Sequence, residues 1–171
     1  EFTLLEWYRV GFDHHRLMDE VAELVTELLA GRLSLAEPKR LSYRELFQRH
    51  LDLDPHRARA AELATRAEAR GVPIPPGMPM DRTDPWLDLL LTHCIEPRLE
   101  PGRLTFVYDY PASQAALARL RPGDPPVGER FELYLNGIEL ANGFHELGDV
   151  AEQRRRFEAE NAARRALGLP V

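Results

Sequence analysis

Lysine and cysteine are almost missing from this 171-residue chain, with Lys39 and Cys94 the only representatives of each. A lone cysteine cannot form an internal disulfide, which excludes a disulfide-stapled scaffold and fits a reducing cytoplasm. Within an apolar helical pattern, Cys94 reads more simply as a small buried hydrophobe than as a reactive thiol. All the other basic residues are arginine, and with 14 prolines and many alanines this marks GC-rich coding and carries no function. No apolar run reaches the roughly 18 residues of a membrane span, since Asp88 interrupts the stretch from Leu87 to Leu91. No secretory leader is expected either. A basic surplus is also lacking: 28 acidic against 22 basic residues give a formal charge of −6. That excludes a surface given over to nucleic acid and leaves local sites for small anions open. Position 1 is not methionine, so the numbering is expected to begin inside a longer protein. What is present is 44% hydrophobic residues, enough for one packed domain and too few for two ordinary ones.

Residues 2 to 9, FTLLEWYR, are bulky on both alternating faces and predict a central strand. Asp13 then precedes Leu17, Val21, Leu24, Val25, Leu28 and Leu29 at helical spacing, closed by Gly31. Ser42 and Glu45 have capping-box spacing and predict a short helix carrying Leu46, Phe47 and Leu51. Asp54-Pro55 and Asp84-Pro85 predict helices over about 55–70 and 85–95, separated by a proline-rich loop from Val72 to Met80. Leu104 to Tyr110 is a strand candidate. Asn136-Gly137, between two apolar runs in ERFELYLNGIELANGF (129–144), predicts a two-residue hairpin. A last helix follows Asp149, with Phe157 on one side and Arg154, Arg155 and Arg156 on the other. These arginines read as a solvated face, with an acidic protein partner as the alternative.

Acidic residues on strands carry the chemical information. Glu6 shares a strand face with Tyr8, while Glu132, Glu139 and Glu146 recur seven apart in a core-like segment. Carboxylates there are costly unless they meet water, cations or hydrogen-bond donors. Any one of these glutamates reads more simply as part of a solvated sheet face, but five polar residues converging on one sheet favour a site that holds a metal-bound anion and an ammonium group. Strict alternation from the Asn136-Gly137 turn puts Glu132, Glu139 and Ala141 on one face, and Asn142, Phe144 and Glu146 on the other. A shared site therefore requires a bulge or bend, expected near Asn142-Gly143. His14, His15 and His145 lack metal-ligand spacing, so a zinc site is not expected.

The opening EFTLLEWYR resembles the end of motif 2 in class II aminoacyl-tRNA synthetases of the lysyl branch. RFELYLNGIELANGFHEL resembles the segment before their motif 3. With TFVYDYPASQAALA at 105–118, the chain is most similar to the lysyl-tRNA synthetase paralogues that attach lysine to translation elongation factor P. Lysyl-tRNA synthetases usually carry a serine-proline-leucine-alanine pattern where this chain has Ser113-Gln114-Ala115-Ala116-Leu117-Ala118, and serine or threonine in place of His145. Both departures favour the paralogue. The resemblance covers nearly the whole chain and is least specific over about 50–85.

The resemblance implies an α+β fold with a class II aminoacyl-tRNA synthetase-like, mostly antiparallel sheet flanked by helices. The sheet would use Phe2 to Arg9, Leu104 to Tyr110 and the hairpin 129–144, with about 32–100 as a helical insertion and the whole, 1–171, as part of a catalytic domain. It implies ATP contacts at Phe2, Glu139 and Leu140, and magnesium at Glu132 and Glu139. Glu6, Tyr8, Asn142 and Glu146 would bind the substrate lysine or β-lysine. No side-chain nucleophile is implied, because alignment and charge neutralisation carry adenylate formation. The implied acceptor is a lysine of elongation factor P, without tRNA or membrane, in a cytoplasmic homodimer. The family's phosphate-gripping arginines of motifs 2 and 3 have no counterpart in this sequence, so the 171 residues alone are expected to form no adenylate at a significant rate. Two alternatives stand beside this reading: a piece of a lysyl-tRNA synthetase, which requires an anticodon-binding domain, and a non-catalytic lysine-binding paralogue.

Overall fold

The computed structural model describes residues 3–166 and 168–170. In chain order the elements are α1 (His14–Leu29), β1 (Ala36–Ser42), α2 (Tyr43–Leu51), α3 (Ala60–Ala69) and α4 (Asp84–Leu90). After α4 a π-helical turn, Leu91–Ile95, leads to β2 (Arg103–Pro111), β3 (Leu120–Arg121), β4 (Val127–Leu135), β5 (Ile138–Phe144) and α5 (Val150–Ala166).

Local signals set most of these boundaries. The Asp13 side chain accepts from the Arg16 N–H at 2.8 Å and starts α1. Ser42 and Glu45 form the expected reciprocal capping box at the start of α2. Asn136 and Gly137 both have positive φ, 53° and 77°, as a type I′ turn demands, and join β4 to β5. At Asp54-Pro55 the expectation is corrected. Asp54 caps only a turn, accepting from the His56 N–H at 3.1 Å, and α3 begins at Ala60, where Glu62 reaches back to the Arg59 N–H at 2.7 Å.

The sheet is mostly antiparallel: β4 lies between β2 on one edge and β3 with β5 on the other. One pair, β1 with β2, is parallel, and α2, α3 and α4 form its crossover. The region 32–100, expected as a helical insertion, therefore also supplies a strand. Helix α1 covers one face through Met18 and Val21, packed on Phe106, Phe131 and Leu133. Helices α2–α4 cover the other through Phe47, Leu63 and Leu90, packed with Val107, Tyr110 and Tyr134. Cys94 is a buried member of this second core. No helix among the described residues is long and apolar enough to cross a membrane.

The expected strand at 2–9 is not formed. Phe2 lies outside the described residues, and 3–9 run without pairing to any strand. Leu4, Leu5 and Tyr8 stay 79%, 72% and 67% exposed. A two-sided apolar alternation becomes a strand only when a neighbour accepts its backbone hydrogen bonds, and here none does. Trp7 packs on the α1 core and Arg9 pairs with Glu20 at 2.6 Å, which fastens the segment to α1.

Candidate functional site

The face beneath α2–α4 carries the acidic residues, and a bulge assembles them. Tyr134 is paired with Glu139, but Leu133 is paired with Ala141, so Leu140 is an extra residue in β5. One inserted residue reverses the face of everything after it. Asn142 thereby comes opposite Glu132, on the same face as Tyr134 and Glu139. The bend expected at Asn142-Gly143 is thus found earlier, at Leu140. Gly143 serves a different purpose: a Cβ there would lie 2.6 Å from Phe131 Cζ and 3.2 Å from Leu17, on the α1 face. Leu140, left out of the ladder, is 45% exposed.

Glu132 is the best-held carboxylate of the group. Tyr134 donates its hydroxyl to Oε2 at 2.5 Å, and Arg130 donates to Oε1. Arg130 also donates to the Gln114 carbonyl at 2.8 Å and lies 4.4 Å above the Tyr110 ring. Gln114 in turn donates to Asp88 at 2.6 Å, and Ser113 to Asp84 at 2.7 Å, which ties the 112–114 turn to α4. Burial and then the Glu132 charge push the Tyr134 phenol far up, so it remains a donor.

The surrounding carboxyls repel one another. Burial and then the charge of Glu132 raise the Glu139 pKa, against a hydrogen bond from Asn142 that lowers it. Burial raises Glu96, to which Glu132 and Glu139 add repulsion, and burial raises Asp88. Among the described residues the Arg130 charge opposes the rise at Asp88 and Glu139, and His93 opposes it at Glu96. Arg130, Tyr134, Gln114, Asp88 and Glu96 were not among the site residues expected from sequence. Two signals were nevertheless present: Arg130, Glu132 and Tyr134 alternate on one strand face, and Asp88 interrupts an apolar helix.

Glu6 and Tyr8 form a second group, with the Tyr8 hydroxyl donating to Glu6 Oε1 at 2.8 Å. That bond, the Glu6 charge and, more weakly, the charge of Glu146 raise the Tyr8 pKa, and Glu146 itself forms an isolated antiparallel bridge with Ala118. Among the described residues no hydrogen bond or ion pair joins this group to Glu132, Glu139 and Asn142. No set of three His, Cys, Asp or Glu side chains could hold a metal among the described residues. The Glu132–Glu139 pair is of a different kind: two carboxylates in mutual repulsion, suited to magnesium, which takes one or two protein carboxylates and completes its shell with phosphate oxygens and water. Two surface cavities of about 250 and 390 Å³ are lined by neither Glu132, Glu139 nor Asn142.

Histidines gather on the α1 face. His14, 1% exposed, lies 3.4 Å from Asp109, which Arg121 also pairs. His145 Nδ1 is 2.8 Å from Glu129 Oε2. At the far end, Arg154 and Arg155 are exposed, while Arg156 donates to the Ala116 and Ala118 carbonyls and anchors α5.

Residues 1–167 match the family described as tRNA synthetases class II (D, K and N). The chain is 47% identical over 170 residues to an elongation factor P–(R)-beta-lysine ligase of Klebsiella pneumoniae, covering 99% of this chain and 51% of the relative. It is 48% identical over 169 residues to the ligase of that name from Vibrio cholerae and 47% identical over 170 to that from Erwinia tasmaniensis, with the same coverage. The chain spans about half the length of the curated relatives it matches.

Proposed function

The chain belongs to the class II tRNA synthetases (D, K and N), and from that premise we propose that it is part of the catalytic domain, spanning 1–171, of an enzyme that activates lysine or β-lysine with ATP and joins it to elongation factor P. The observation that carries this reading is the bulge at Leu140, which brings Glu132, Glu139 and Asn142 onto one face. In the proposed reaction an oxygen of the substrate carboxylate attacks the α-phosphorus of ATP, the bond to the β-phosphate breaks, and pyrophosphate leaves. The ε-amino nitrogen of a lysine on elongation factor P then attacks the acyl carbon, expelling AMP and losing a proton to solvent as the amide forms.

Each residue has a role of its own in this scheme. Glu132 and Glu139 would hold magnesium, which would supply neutralisation of charge developing on the phosphates. Glu139 with Leu140 borders the nucleotide, and Phe2 is the family's adenine platform. Asn142, Glu146, Glu6 and Tyr8 orient the amino acid, with carboxylates that answer its ammonium groups. The relatives' printed names favour (R)-β-lysine over lysine, and the working form in this reading is the cytoplasmic homodimer that the family resemblance implies.

The decisive experiment exchanges residues 1–171 into the full-length Vibrio cholerae relative and follows pyrophosphate exchange and transfer of labelled β-lysine. Label on elongation factor P and none on tRNA is the expected result. Label on tRNA would establish a lysyl-tRNA synthetase instead, and lysine binding without exchange would establish a binding module. The 171-residue polypeptide alone is expected to show no significant exchange.

A further inference from the structure

We propose that Arg130 is a positioning residue that sets the Glu132 carboxylate for the nucleotide-bound cation, with the 112–114 turn as its anchor; this rests on the function proposed above. Glu132 and Arg130 are 13% and 18% exposed in their side chains, so their geometry is constrained by protein and not by solvent. Arg130 spans two acceptors, Glu132 Oε1 and the Gln114 carbonyl, over the face of Tyr110. Tyr134 takes the other Glu132 oxygen. With both oxygens engaged, the carboxylate plane is fixed and the remaining lone pairs point away from Arg130 and Tyr134. The planar fork is what allows one side chain to bridge a carboxylate and a carbonyl; a lysine ammonium supplies the charge without the bridge. The anchor reaches α4, because Gln114 and Ser113 are themselves tied to Asp88 and Asp84.

The test compares Arg130→Gln, Arg130→Lys and Gln114→Ala with the parent in the exchanged full-length protein. Two quantities are read: the affinity for Mn²⁺ with ATP by calorimetry, and the carboxyl ¹³C resonance of Glu132, assigned through Glu132→Gln. Arg130→Gln is expected to weaken Mn²⁺ binding about 10-fold or more and to move or broaden the Glu132 resonance. Arg130→Lys should restore only part of either, and Gln114→Ala, which leaves the Arg130 contact itself intact, should shift both slightly without unfolding. An unchanged Glu132 resonance in Arg130→Gln overturns the positioning role. A moved resonance in a protein whose parent binds no Mn²⁺ with ATP leaves Arg130 positioning Glu132 and overturns the proposed function. Full recovery by Arg130→Lys also overturns the proposal, since charge alone would then suffice.

Discussion

The two faces of the sheet treat charge in opposite ways. On the α1 face each buried carboxylate has its own cation or imidazole: Asp109 has Arg121 and His14, and Glu129 has His145. On the α2–α4 face Asp88, Glu132 and Glu139 share Arg130 and Glu96 has only His93 as a weak positive neighbour, and burial and mutual repulsion raise three of these four pKa values. A face whose charges are matched has settled its electrostatics within the fold. A face with surplus negative charge, held in place by hydrogen bonds, is stabilised further only by something positive from outside.

The largest expected effect is on the acidic face. Glu132→Gln should lower β-lysine-dependent pyrophosphate exchange in the exchanged full-length protein by about 10²-fold, with little change in melting temperature. A large fall in melting temperature together with unchanged exchange would reverse the assignment of the two faces. Next comes packing on the α1 face. Gly143→Ala drives a methyl into Phe131 and Leu17 and should cost about 1–3 kcal/mol in urea unfolding. Neutral behaviour there would mean that β5 can lift away from α1.

Asp109 tests the matched charges directly. Burial pushes its carboxyl up, but the Arg121 hydrogen bond and charge, with His14 3.4 Å away, outweigh it, and the net direction is down. A carboxyl lowered by folding adds stability above its ordinary value of 3.8, and that stability is lost as pH falls through the lower folded value. Asp109→Asn should therefore cost about 1–2 kcal/mol at neutral pH, a deficit that closes as the parent is acidified below pH 4. The smallest effect has the opposite sign. Glu139 is raised, so its ionised form works against folding once pH exceeds its ordinary value of 4.5 and fully so above its folded value. Glu139→Gln should raise the melting temperature at pH 7 by about 1–2 °C, lose that advantage near pH 4, and weaken Mn²⁺ with ATP in calorimetry.

Much of this was legible in the sequence because the signals were short-range. The α1 cap at Asp13, the Ser42–Glu45 box and the Asn136-Gly137 turn each involve residues within a few positions of one another. The carboxylates Glu132 and Glu139 were legible because charge in a core-like strand needs a reason. The segment 3–9 was misread because strand pattern was present and a pairing partner was not. Asp54-Pro55 carried helix-start chemistry that a turn can also satisfy, and the helix itself waited for Arg59 and Glu62.

By itself the sequence determined the hairpin, its caps and the identity of the acidic residues, because dihedral preference and local hydrogen bonding act over two to four residues. Only the tertiary structure decided which of those acids share a face. The Leu140 bulge depends on how β5 registers on β4 while Gly143 closes on Phe131, and the hold on Glu132 depends on Arg130 reaching Gln114, 16 positions away in the chain. Contacts of that span are set by packing, which alternation along one strand does not encode.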